Sequence, residues 1–199
     1  MPSEEEALQA VRTLLAYIGD DPARPGLDET PQRVLKAWRE DWGAGYSEPL
    51  KPLVKLFPDA LGPVVFPMAH SMVIVDDIGF HSHCEHHMAP FSGTAAVAYI
   101  PDKRGAIGLS KLARIVDHFS RRLQVQERLT EEIATFLAAN VAKDCAVLLR
   151  ASHSCMTSRG ARQPHSITTT SALRGALFHD HKARSEFLTL TRRGRFACD

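Results

Sequence analysis

The densest chemistry in the chain is the segment HSHCEHH, residues 81–87. Four histidines and a cysteine within seven residues are a poor packing choice, because imidazoles buried together compete for the same hydrogen-bond partners. Cys84 and His87 are two residues apart, the gap that lets two side chains reach one ion across a turn. A His-rich surface loop has the same composition. The other half of a site is expected at His153-Ser154-Cys155, which closes the apolar run AVLLRAS. A strand continued through Met156 places Val147, Leu149, Ala151, His153 and Cys155 on one face and turns Ser154 away. Cys84, His87 and Cys155 then make a two-cysteine, one-histidine set whose fourth position is free for water, as in catalytic zinc sites; His83 or His153 could instead be a fourth ligand. Cys145 reads as a small core residue and Cys198 as part of a frayed terminus.

Around this cluster lie groups suited to an anion. Gly108-Leu109-Ser110-Lys111-Leu112-Ala113-Arg114 places a serine as helix N-cap, a lysine in the first turn and an arginine further along the same face. Backbone N–H groups at a helix start, with two cations, suit phosphate; a capped helix with two solvated charges is the plainer account of that segment alone. Arg159 and Arg162, just beyond Cys155, add cations at the same end of the sheet and shift the balance toward a polyphosphate. Glu127 begins a helix, where the dipole favours a carboxylate and where it could also accept two N–H donors from a guanine edge.

These groups need a scaffold. Ser3 with Glu6 forms a capping box, and Leu8, Val11, Leu14, Leu15 and Ile18 recur at helical spacing until Gly19. Thr30 as N-cap, Pro31 at the first helical position and Val34, Leu35, Trp38 and Trp42 predict a second helix ending at Gly43, antiparallel to the first. Pro and Gly recur without period from Tyr46 to Pro67, which places a boundary between a helical region, 1–66, and a catalytic domain, 67–199. Strands are expected over Met72–Ile78, Thr94–Ile100, Ala146–Met156 and Ile167–Leu173, and helices over Leu109–Arg121, Gln126–Val141 and around Arg184–Leu190. This order predicts an α+β domain with two helices on one face of a mainly antiparallel sheet.

Bulk properties are those of a globular chain: 199 residues, 44% hydrophobic and 24% charged. The net charge of +1 hides two unlike halves: residues 1–100 carry 7 Lys/Arg against 14 Asp/Glu, residues 101–199 carry 17 against 9, or −7 and +8. A basic half suits an anionic ligand, and solvated surface charge explains the same counts. Four irregularly spaced cysteines do not make a secreted disulfide framework, and the acidic start lacks a signal peptide's character. A cytoplasmic location, with neither membrane nor nucleic acid as partner, is expected. A structural zinc module binding nucleic acid through the basic half is the rival; it requires four protein ligands and steep salt dependence.

The motifs DDPARPGLDETPQR, CEHH, VAYIP, IGLSKLARIV, RLQVQERLT, HSCMTSRG, TTTSALRG and EFL follow one another over roughly residues 10–190. In that order and spacing the chain strongly resembles the zinc-dependent GTP cyclohydrolase I family. The resemblance implies hydrolytic opening of the guanine ring of GTP, release of formate and formation of dihydroneopterin triphosphate. It implies Zn²⁺ on Cys84, His87 and Cys155, His86 and His153 as catalytic histidines, and Ser110 assisting ribose opening. Gln126 and Glu127 would read guanine. Lys111, Arg114 and Arg159 would contact the triphosphate, joined by Arg33 from a neighbouring subunit. It further implies a tunnelling fold, whose subunits join their sheets into barrels and assemble as a homodecamer with active sites between subunits. The long regulatory extension of some animal members is not expected. His81 and His83 depart from the family's small residues at those positions, and Ala96 stands where a larger or polar residue is common.

Overall fold

Ser3 opens α1 (Glu4–Tyr17): its hydroxyl accepts the Glu6 N–H, and the Glu6 carboxylate accepts the Ser3 N–H at 2.7 Å. Three glutamates in the first turn complement the helix dipole, and Gly19, at φ 94°, follows the end of the helix. The computed structural model describes residues 2–50, 53–58 and 71–191. The boundary expected at 66/67 and the terminal Cys198 lie outside those residues. In α2 (Thr30–Ala37) the N-cap is Glu29, so Thr30 is the first helical residue rather than the cap. The helix runs on as a π-helical turn, Trp38–Trp42, then a 3₁₀ turn, Ala44–Tyr46.

Gly45 seats this N-terminal part on the rest. Its N–H donates to Arg121 O at 3.0 Å, and its carbonyl accepts from Arg122 Nε at 3.0 Å. A Cβ there would lie 2.3 Å from His118 O, so only glycine permits the approach.

The remaining elements are β1 (Leu56–Phe57), β2 (Val73–Cys84), β3 (Pro90–Tyr99), β4 (Ala106–Ile107), α3 (Leu109–Ser120), β5 (Leu123–Gln124), α4 (Gln126–Asn140), β6 (Cys145–His153), α5 (Ser154–Thr157), β7 (Thr168–Leu173), α6 (Ala176–His179) and α7 (His181–Thr191). Five strands form one sheet in the order β5-β2-β3-β6-β7, antiparallel except for the β2–β5 pair, and β1 pairs with β4. The predicted α+β class with a mainly antiparallel sheet holds at this level. β2 and β3 are longer than expected, so His81–Cys84 are strand residues, paired through His83 with Pro90.

Alternation sorts the sheet's two faces. Phe91, Ala95, Val97 and Tyr99 of β3 and Val147, Leu149 and Ala151 of β6 are buried in one core with Leu112, Ile115, Leu129, Ile133 and Leu137 of α3 and α4. The two expected helices thus share one face, and α6 and α7 cover the opposite one, which the expectation did not include. Ala96, Ala98 and Ala146 form a second core with Leu177 and Phe187 of α6 and α7. Alanines on that face leave room for the Phe187 ring, which accounts for Ala96.

His118 of α3 is buried, with Nε2 2.7 Å from the Arg122 guanidinium. Burial, then the Arg122 cation, lowers its pKa; Glu48 and Asp117 oppose this and Arg121 reinforces it. A histidine depressed in the fold stabilises fully above its unfolded pKa of about 6.5, and that contribution is lost as pH falls through the folded value. The melting temperature should therefore fall as pH drops below about 6.5. His118→Gln, which keeps an acceptor for Arg122, should flatten the slope; an unchanged slope would remove His118 as its source.

Candidate metal centre and the groups around it

Cys84 ends β2, and the turn to β3 brings His87 back beside it. The Met88 N–H donates to Cys84 O at 2.7 Å, the Cys84 N–H donates to Ala89 O at 2.8 Å, and Met88 takes φ 52° to close the loop. Cys155 arrives differently from the expectation. β6 stops at His153, and Cys155 sits in α5, a single helical turn, so it does not alternate with His153 along a strand. The turn brings the Cys155 sulfur to the loop: the ligand atoms of Cys84, His87 and Cys155 lie within 4.8 Å of one another. Burial, then the neighbouring Cys84, pushes the Cys155 thiol up. Two adjacent thiols resist losing their protons without a cation between them, and two sulfurs with one imidazole are donors that zinc accepts.

Neither candidate fourth ligand belongs to this group. His83 points to the other side of β2, its ring 4.9 Å from that of Trp38 and 4.8 Å from that of Trp42. It is 4% exposed, and burial followed by nearby His81 lowers its pKa. Alternation explains the outcome, since His81 and His83 share one face and Cys84 takes the opposite one.

His153 is held in place by two contacts that residue types alone did not show. Its ring stacks on Phe91 at 4.4 Å between centroids and 6° between planes, the two being register partners on β3 and β6. Its Nε2 lies 2.7 Å from Gln126 Oε1. Burial lowers the His153 pKa, with Glu127 acting in the opposite sense. Gln126 itself is 1% exposed, and the two hydrogens of its Nε2 are shared among Leu149 O, Thr168 O and Thr170 Oγ1, at 3.2, 3.1 and 3.0 Å. Its side-chain amide thus meets protein partners at both ends. Glu127, the next residue, is exposed in the first turn of α4. His86 is exposed beside His87, their ring centroids 6.4 Å apart.

The remaining predicted residues fall into three places. Ser110 and Lys111 stand in the first turn of α3 with Arg114 one turn on; Gly108 is the N-cap, so Ser110 is a helical residue with an exposed side chain rather than the cap. Arg159 lies beyond α5, close enough to Cys155 to lower its pKa slightly against the other influences. Arg33 is on α2, ion-paired with Glu29. A brace not expected from sequence joins the metal loop to α4: Arg128 pairs with Glu85, and its Nε donates to Gln124 Oε1 at 3.1 Å.

The GTP cyclohydrolase I family profile matches residues 7–192. The chain belongs to this family. A GTP cyclohydrolase 1 from Maricaulis maris is 45% identical over 194 residues, covering 96% of this chain and 91% of the relative. Those from Brucella anthropi and Campylobacter jejuni are 46% identical over 194 residues and 47% over 182, covering 96% and 90% of this chain and 87% and 91% of the relatives. The expected enzyme class, a hydrolase of the GTP cyclohydrolase I type, stands on these matches. No helix among the described residues is long and apolar enough to cross a membrane.

Proposed function

We propose that this chain hydrolyses GTP to formate and 7,8-dihydroneopterin triphosphate, using Zn²⁺ held by Cys84, His87 and Cys155. The convergence of those three ligand atoms within 4.8 Å carries the reading. Bound zinc supplies a Lewis acid that brings the pKa of water from about 15.7 toward 7, so that addition at C8 of guanine becomes feasible near neutral pH. His153, kept largely neutral by burial, can take a proton from or return it to the opening imidazole ring, and exposed His86 serves the other hydrolytic step. Ser110 assists opening of the ribose. Lys111, Arg114 and Arg159 hold the triphosphate, so the substrate stays in place while its ring is cut, rearranged and closed.

Glu127 reads the guanine edge: its carboxylate is exposed one residue from the Gln126–His153 contact, within electrostatic reach of the imidazole. Two N–H donors on one carboxylate are worth about 1–3 kcal/mol of recognition, so Glu127→Ala should lower kcat/KM for GTP by about 10–100-fold. Zinc content should be unchanged. Equal kcat/KM in the variant would remove Glu127 from recognition.

The assembly is a homodecamer of tunnelling-fold subunits with Arg33 reaching a neighbour's site. Among the described residues β2 pairs with β5 only at His83 and Cys84, so most of its outer edge is available for a neighbouring sheet. The catalytic domain is 67–199, the helical region 1–66, and the location cytoplasmic. The product feeds folate, a tetrahydrobiopterin-like cofactor or a 7-deazapurine. Incubating zinc-loaded protein with GTP while following formate and pterin fluorescence tests the reading; zinc-replete protein that releases no formate would overturn it.

A further inference from the structure

We infer that Gln126 is a positioning residue that sets the tautomer of His153, placing the proton of the neutral ring on Nε2 and leaving Nδ1 as the ring's one acceptor. The inference rests on the proposed role of His153 for its consequence, and on hydrogen bonding alone for the proton's place.

The orientation of the Gln126 amide decides the matter. One end of that amide lies 3.2 Å from Leu149 O and 3.1 Å from Thr168 O. Backbone carbonyls only accept, so that end must be the NH₂ group. Its third neighbour agrees. Thr130 Oγ1 donates to Gln126 O at 2.7 Å, which leaves the Thr170 hydroxyl to donate to Thr130 Oγ1 at 2.6 Å. Thr170 Oγ1 is then an acceptor for Gln126 Nε2 at 3.0 Å. With the nitrogen assigned, the atom 2.7 Å from His153 Nε2 is the oxygen Oε1, which only accepts. Nε2 must therefore donate.

Two further features make this a fixed arrangement. Gln126 is 1% exposed, so water does not compete for its amide, and flipping it would set its oxygen against two carbonyl oxygens. The Phe91 ring, stacked on His153, holds the plane in which Nε2 meets Oε1. A neutral imidazole offers one donor and one acceptor, and which nitrogen carries the proton is set by the bond the other makes. His153 is thereby held in one tautomer before substrate arrives, with Nδ1 the nitrogen able to accept a proton.

Neutron diffraction of the zinc-loaded, deuterium-exchanged protein at about pH 8, above the ordinary histidine pKa of about 6.5, locates the proton directly. A deuteron on Nε2 and none on Nδ1 is expected; a deuteron on Nδ1 overturns the inference. In solution, Gln126→Met keeps the side chain's length and removes both amide ends. Removing a residue that orients a working imidazole should lower kcat by about 10–100-fold with KM for GTP within about 3-fold. A merely structural role predicts a lower melting temperature with kcat intact, and that outcome also overturns the inference. Thr170→Val, which removes one anchor of the amide, is the milder variant should Gln126→Met not fold, and it should lower kcat in the same sense. Absence of GTP turnover in the wild-type protein would sink the proposed reaction instead, while the deuteron's position would still stand or fall by itself.

Discussion

Replacing Cys155 with serine is expected to strip zinc from the protein and to cut formate release from GTP by at least about 10³-fold. The cluster has three ligand atoms from two short segments, so losing one sulfur leaves Cys84 and His87 on a single turn. Two ligands on one loop hold zinc weakly, and a serine hydroxyl is a poor zinc donor at neutral pH. Because the Cys155 thiol is pushed up by burial and by Cys84, zinc must displace protons to bind. Apparent zinc affinity of the wild-type protein should accordingly rise with pH, and the variant should lose much of that dependence. Metal analysis after dialysis against a chelator, beside a formate assay, checks both parts. Full formate release by zinc-free Cys155→Ser protein would end the assignment of this cluster as the catalytic centre.

His153→Asn should behave in the opposite way toward the metal. His153 is outside the ligand group, so zinc should remain bound while kcat falls by about 10²–10⁴-fold, the usual worth of a positioned acid–base group. The structure suits such a group: a ring stacked on Phe91, hydrogen-bonded at Nε2, and biased toward neutrality by burial. Asparagine retains polarity at this half-buried position, which limits the change in stability. Loss of zinc from the folded variant would instead make His153 a ligand, and undiminished kcat would transfer its role to His86. The two substitutions therefore separate metal retention from proton transfer.

Part of this arrangement was legible in residue types and spacing. The capping box at Ser3, the helix break near Gly19 and the α3 and α4 spans follow from interactions within a turn or two, which periodicity records. The C-x-x-H spacing brings Cys84 and His87 together for the same reason, because a turn closes over few residues. Strand ends were less legible. β2 extends into the histidine segment because pairing with β3 continues to Pro90, and a pairing partner leaves no mark on a strand's own sequence.

What the sequence by itself determined is the Cys84–His87 spacing, the spans of α3 and α4 and an α+β pattern, all properties of residue type and near neighbours. Only the tertiary structure decided how Cys155 reaches the loop, through the turn of α5 rather than along β6. It also decided that His83 is enclosed by Trp38 and Trp42 rather than turned toward the cysteines, and that α6 and α7 cover the second face of the sheet. The same holds for Gln126, whose single residue type suits a guanine reader as well as a buried brace. Its amide is claimed by Leu149, Thr168 and Thr170, 23 to 44 residues away, and its oxygen by His153. Such contacts depend on strand register and on which helix packs where, and each is chosen by the whole core at once.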